Sequence, residues 1–106
     1  MAEYRSRGPD PKRQPVHPGA VLREDVLPAL RLSIAQAAKA MGITRQSLHG
    51  IVTEQHGVSP EMALRLGRFC GDGAAIWLRL QQRHDLWLAE QKLGAELARI
   101  PTMRAA

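Results

Sequence analysis

Aromatic side chains are scarce in this chain: one phenylalanine, one tyrosine and two tryptophans in 106 residues. A core of ordinary size must therefore be aliphatic, built from leucine, isoleucine, valine, alanine and methionine. Cysteine is rarer still. A lone Cys70 excludes an internal disulfide and fits a reducing cytoplasm. No apolar run is long enough to span a bilayer, and the polar, proline-rich N-terminus does not read as a signal peptide. A cytoplasmic protein with no membrane partner is expected.

Reactive constellations are missing too. His17, His49, His56 and His84 show neither HExxH nor a spacing that would hold zinc, so no metal is expected. His84 and Asp85 are neighbours in sequence, but successive helical positions point about 100° apart and the two do not face each other. His84 reads as a packing or hydrogen-bonding residue. Cys70 falls on an apolar stripe and reads as structural. Gly71-Asp72-Gly73 breaks a helix without the preceding strand of a nucleotide-binding loop. No catalytic residue, no cofactor and no enzymatic activity are expected.

What is present is a basic, helical chain. Fifteen Lys and Arg face ten Asp and Glu, a net charge of +5, and the isoelectric point near 10.4 lies in the range of nucleic-acid-binding domains. Across residues 31–68 the cations Arg31, Lys39, Arg45, Arg65 and Arg68 meet only Glu54 and Glu61, whereas 71–106 is nearly balanced. The length suits a single domain with one modest core.

The stretch LSIAQAAKAMGITRQSLHGIV (32–52) holds two short helical patterns. Ser33 and Gln36 form a capping box, and Ile34, Ala37, Ala38 and Met41 recur at helical spacing. Gly42 ends this helix in a left-handed turn. Thr44 caps the next, with Leu48, Ile51 and Val52 on one face and Arg45, Gln46, His49 and Thr53 on the other. Two small helices about a tight glycine turn read as a helix-turn-helix, with 44–53 entering a DNA major groove.

Around this motif, residues 1–16 read as a flexible arm, with Pro9, Pro11, Pro15 and the basic Arg5, Arg7, Lys12 and Arg13. A first helix is expected over 19–30 with Leu22, Val26 and Leu30 inward, bent or stopped early by Pro28. Ser59-Pro60 starts a fourth helix with Ala63, Leu66 and Cys70 inward, flanked by Met62 and Phe69. A fifth, about 74–97, carries Ile76, Leu80 and Trp87 on one stripe and Trp77, His84 and Leu88 on the next. That apolar face is wider than a four-helix core needs, which points to a partner surface, with the tryptophans as core or dimer anchors. The domain is placed at 17–100 and a frayed end at 101–106.

HPGAVLRE (17–24), ITRQSL (43–48), GVSPEMALRL (57–66) and WLRLQQRHDL (77–86) resemble the HigA antitoxins, small helix-turn-helix proteins of the Xre/Cro class. The resemblance covers about 17–97. It implies an all-α, five-helix, lambda-repressor-like domain that dimerises. It implies an antitoxin that silences a HigB toxin, a RelE-like mRNA endonuclease, and represses its own operon at a palindromic operator. A toxin-neutralising module with little DNA binding, and a stand-alone Xre-type regulator, are the alternatives. The toxin-binding surface is sought on the first helix and the outer face of the last.

The chemistry of base reading selects the site. Arg45 can fork onto guanine O6 and N7, and Gln46 can pair with adenine N6 and N7. Thr44 offers a hydroxyl to phosphate or a methyl to thymine at a helix N-terminus. Ser47 and His49 are further candidates. Three departures from relatives of the Xre class point to a reduced contact set and a shallower salt dependence. Ile34 stands where a phosphate-binding glutamine is common, Gly50 where another base reader often stands, and Glu54 in a loop that is usually basic.

Overall fold

The computed structural model describes residues 13–104, and among them there are five helices and no strand. Helix α1 begins as Pro18–Val21, passes through a π-helical turn, Leu22–Val26, and ends as Leu27–Leu30. Then follow α2 (Ile34–Met41), α3 (Arg45–Val52), α4 (Pro60–Cys70) and α5 (Ala74–Leu97). Of the segments expected to be an arm and a frayed end, residues 1–12 and 105–106 lie outside the described residues.

The turn in α1 corrects the sequence reading. Pro28 neither stops the helix nor fixes the expected inward stripe. Proline has no N–H, and its ring crowds the carbonyl four residues earlier. The preceding turn widens so that the Leu27 N–H reaches back to the Leu22 carbonyl, five residues away. That register brings Leu22 and Leu27, five apart, onto the buried face, while Leu30 is 48% exposed. The helix closes on Arg31 in the left-handed region, φ 56°. There the Leu32 and Arg31 N–H groups return to Leu27 O and Pro28 O, both at 3.1 Å.

The other termini follow their local chemistry. The Ser33 hydroxyl accepts the Gln36 N–H at 3.1 Å, and the Gln36 side chain accepts the Ser33 N–H at 2.9 Å. Gly42, at φ 72°, ends α2. Ser59 caps α4 ahead of Pro60. The core lies where α2, α3 and α4 meet α1 and the first half of α5. Ala37, Ala38 and Met41 come from α2, Leu48, Ile51 and Val52 from α3, and Ala63 and Leu66 from α4. Trp77 closes it, its Nε1–H donating to Asp72 Oδ1 at 3.0 Å.

On α5 the buried positions are Trp77, Gln81 and His84, one face at four- and three-residue steps. Ile76 and Leu88, read on the two apolar stripes, are exposed. From Leu88 onward every described residue is exposed, Leu93, Leu97 and, past the helix end, Ile100 among them.

Candidate nucleic-acid interface

Leu48, Ile51 and Val52 bury one side of α3 and leave Arg45, Gln46, Ser47 and His49 on the other, all exposed. Arg45 and Gln46 occupy the first two positions of the helix. No side-chain hydrogen bond or ion pair engages either of them, or His49, among the described residues. Their guanidinium and carboxamide groups are therefore open to a ligand. Arg45 and His49, four apart, share a face. Thr44 is already engaged. Its Oγ1 accepts the Ser47 N–H at 3.0 Å and donates to Ser47 Oγ at 2.8 Å. The hydroxyl expected to meet phosphate is turned into its own helix cap, and the outward donor at this corner is the Ser47 hydroxyl.

Both helices of the motif are held at their C-terminal ends by arginines from the flanking helices. Arg23 Nη1, on α1, donates to Val52 O at 2.6 Å. Arg65 Nη1, on α4, donates to Met41 O at 2.8 Å. Each places positive charge where the helix dipole is negative and satisfies a terminal carbonyl. Arg65 also reaches Glu61 at 3.5 Å, so this cation belongs to the frame of the motif. The Arg23 guanidinium bonds to Glu24 and Glu54, which raises its pKa further and keeps it charged.

Two of the three departures read from the sequence take a different meaning here. Glu54 lies 3.1 Å from Arg23 Nη2, so its carboxylate is paired before any phosphate approaches. It sits at φ 65°, where its N–H bonds to Ile51 O at 2.9 Å and the chain turns out of α3. Gly50 is buried, not a gap in an outward reading face. A Cβ there would stand 2.0 Å from His56 Cδ2, because the His56 ring folds over it. Ile34 keeps its reading: it packs partly against the core and offers no donor.

Other contributors escaped the sequence reading. A Cβ on Gly19 would lie 1.8 Å from Ile51 O, so α1 rests its backbone directly on the recognition helix. A Cβ on Gly67 would lie 2.3 Å from Gly73 C, the equivalent close approach between α4 and the start of α5. Buried Gln81 accepts the Val58 N–H at 2.8 Å and donates to Asp85 at 2.9 Å, pinning the loop after α3 to α5. A glycine inside an amphipathic pattern was the available signal for the first two. Cys70 is half-buried against the core, and burial pushes its thiol pKa up, as a structural cysteine requires.

No family model matches the chain. Virulence-associated protein I of Dichelobacter nodosus is 42% identical over 76 residues, which are 72% of this chain and 70% of that protein. Among solved structures, the Pseudomonas aeruginosa antitoxin HigA with the higBA promoter is 34% identical with a TM-score of 0.80, over 85% of this chain and 99% of that one. An addiction module antidote protein of the HigA family from Coxiella burnetii is 29% identical with a TM-score of 0.80, over 87% and 100%. With the same five helices, the same motif and these relatives, the chain belongs to the HigA antitoxins, helix-turn-helix proteins of the Xre/Cro class.

Proposed function

We propose that this antitoxin represses its own operon by binding a palindromic operator through α3, and that it binds and neutralises a HigB/RelE-like toxin. The observation that carries the DNA half is the exposed first turn of α3. Arg45 and Gln46 are unengaged there, while the helix behind them is fixed by buried aliphatic side chains and by Arg23. Arg45 reads guanine, Gln46 reads adenine, Ser47 donates to an acceptor on base or phosphate, and His49 lies alongside. Thr44 contributes its methyl group and the helix N-terminus. The relatives support the reading: the Pseudomonas protein was solved with its promoter. The assignment is a binding protein of the cytoplasm. No helix among the described residues is long and apolar enough to cross a membrane.

A palindrome calls for two copies. The C-terminal half of α5 presents exposed Leu86, Leu93 and Leu97 at spacings that keep them on one face, and we assign this face to a second copy. Recognition helices would then sit about 34–36 Å apart, one turn of duplex, or a multiple of it. The deciding experiment is selection from a randomised duplex pool with the full-length chain, followed by band-shift titration against random duplex at modest salt. A recovered inverted repeat supports the repressor. No preference over random duplex removes it and leaves a toxin-neutralising module, which co-purification with the product of the adjacent gene tests separately.

A further inference from the structure

Helix α1 is capped by a histidine in place of the usual hydroxyl or carboxamide side chain. His17 is buried, and its Nδ1 accepts the Gly19 N–H at 2.8 Å. A backbone N–H can only donate, so Nδ1 carries no proton and the ring is neutral. Gly19 is also the residue whose backbone rests on the Ile51 carbonyl. The cap therefore fixes the point where α1 touches the recognition helix.

On its other side the His17 ring stands edge-on to His84, with centroids 4.8 Å apart and planes at 85°. His84 Nε2 accepts from the Gln14 amide at 3.4 Å, which leaves the proton on Nδ1. That buried Nδ1 has no hydrogen-bond partner among the described residues. The nearest carboxylate oxygen, on Asp85, lies 3.7 Å away. The ionisable groups facing His17 are His84 and Asp85 from α5, Glu54 from the loop after α3, and Arg23 from α1. Burial first, then His84, holds the His17 pKa below the ordinary 6.5, against the pull of Glu54 and Asp85.

We propose that His17 is a positioning residue for the recognition helix, holding Gly19 against Ile51 only while its imidazole is neutral, so that acid loosens α3 and weakens operator recognition. The inference rests on α3 being the DNA-reading element. Protonation turns Nδ1 from acceptor to donor, sets N–H against N–H at the positive end of α1, and places a cation beside a second imidazole. The unfolded chain takes up this proton at the ordinary value and the folded chain resists it. This contribution to stability is therefore intact above pH 6.5 and lost as pH falls below it.

The test compares wild type with His17→Asn, whose side-chain oxygen keeps the cap without titrating. Melting and affinity for the duplex enriched from the randomised pool are measured at about pH 7.5 and about pH 5.5. The wild type is expected to lose roughly three- to tenfold more affinity over this interval than H17N, and to lose more melting temperature. The two proteins are identical outside position 17, so the difference between them isolates His17. The wild-type His17 ring, followed by NMR, is expected to titrate below 6.5. Parallel pH profiles in the two proteins overturn the proposal. So does a His17 titration at or above 6.5, readable on wild type even if H17N does not fold. If neither protein prefers the enriched duplex at any pH, the DNA reading fails and takes the operator half of this inference with it; the two melting profiles still decide whether His17 latches α1.

Discussion

Replacing Gly19 and Gly94 by alanine, one at a time, should move stability in opposite directions. A Cβ at Gly19 would stand 1.8 Å from Ile51 O, 2.9 Å from Ile51 C and 3.1 Å from His17 Nδ1. Two of these are backbone atoms, which no rotamer can move aside. Ordinary contact requires α1 to retreat from α3 by about 1.5 Å, and that retreat undoes neighbouring bonds. Arg23 would lose its 2.6 Å bond to Val52 O, and His17 its hold on the Gly19 N–H. Overpacking alone costs about 1–3 kcal/mol, so a total of about 3 kcal/mol or more is expected once a buried N–H also loses its acceptor. That is a large part of the about 5–15 kcal/mol that holds a domain of this size together, and about 10–20 °C in melting temperature. Gly94 has nothing within 4 Å of its would-be Cβ and sits inside α5. Alanine there should stabilise by up to about 1 kcal/mol, because glycine is the poorer helix former. Thermal and urea unfolding of both variants under identical conditions is the assay. A Gly19→Ala protein melting within about 2 °C of wild type would refute the close-approach argument.

Arg45→Ala and Gln46→Ala should each relax sequence choice at one base pair per half-site by about 1–3 kcal/mol, with melting unchanged because neither side chain touches the core; selection repeated with each variant reads this directly. Arg23→Met should weaken operator affinity by leaving the Val52 carbonyl uncapped and the Glu54 carboxylate unpaired, and Glu54→Gln in the same chain should restore the part due to the free carboxylate, a coupling that a double-mutant cycle measures. Leu93→Glu with Leu97→Glu should give a folded monomer with reduced operator affinity, seen by sedimentation, since both side chains lie outside the core. A dimer that survives the pair of charges would remove α5 as the interface. Cys70 should react with a thiol reagent at mildly alkaline pH more slowly than a free cysteine, because burial disfavours its thiolate.

Signals confined to one turn were legible in the sequence. Ser33, Thr44 and Ser59 cap the helices assigned to them, and α5 spans Ala74–Leu97 as read. The outward face of α3 was legible for the same reason, since periodicity alone separates Leu48 and Ile51 from Arg45 and His49. The errors come from a local change of helical register and from contacts that periodicity does not show. A regular α-helical register puts Leu30 inward, and the widened turn before Pro28 shifts that role to Leu27. Gly50 looked like a missing base reader because nothing nearby in sequence shows that His56 folds over it. Glu54 looked like a liability because its partner, Arg23, is 31 residues away.

The same long-range contacts explain how so short a motif is held still. Eight residues of α3 are too few to be stable as a helix alone, so tertiary contacts must supply the difference. They do so at the C-terminal end of α3, opposite the proposed reading turn: Gly19 against Ile51, Arg23 on Val52 O, and Gln81 on the loop that follows. The N-terminal turn, with the proposed reading residues Arg45 and Gln46, is secured by the Thr44 cap and by the core beneath Leu48. A helix clamped at its inner end and open at its outer one can present Arg45 and Gln46 to a groove without an unfavourable ordering step on binding. Affinity then depends on how firmly α1 is seated, which makes residues outside the proposed reading face, Gly19 and Arg23 above all, determinants of how well DNA is read.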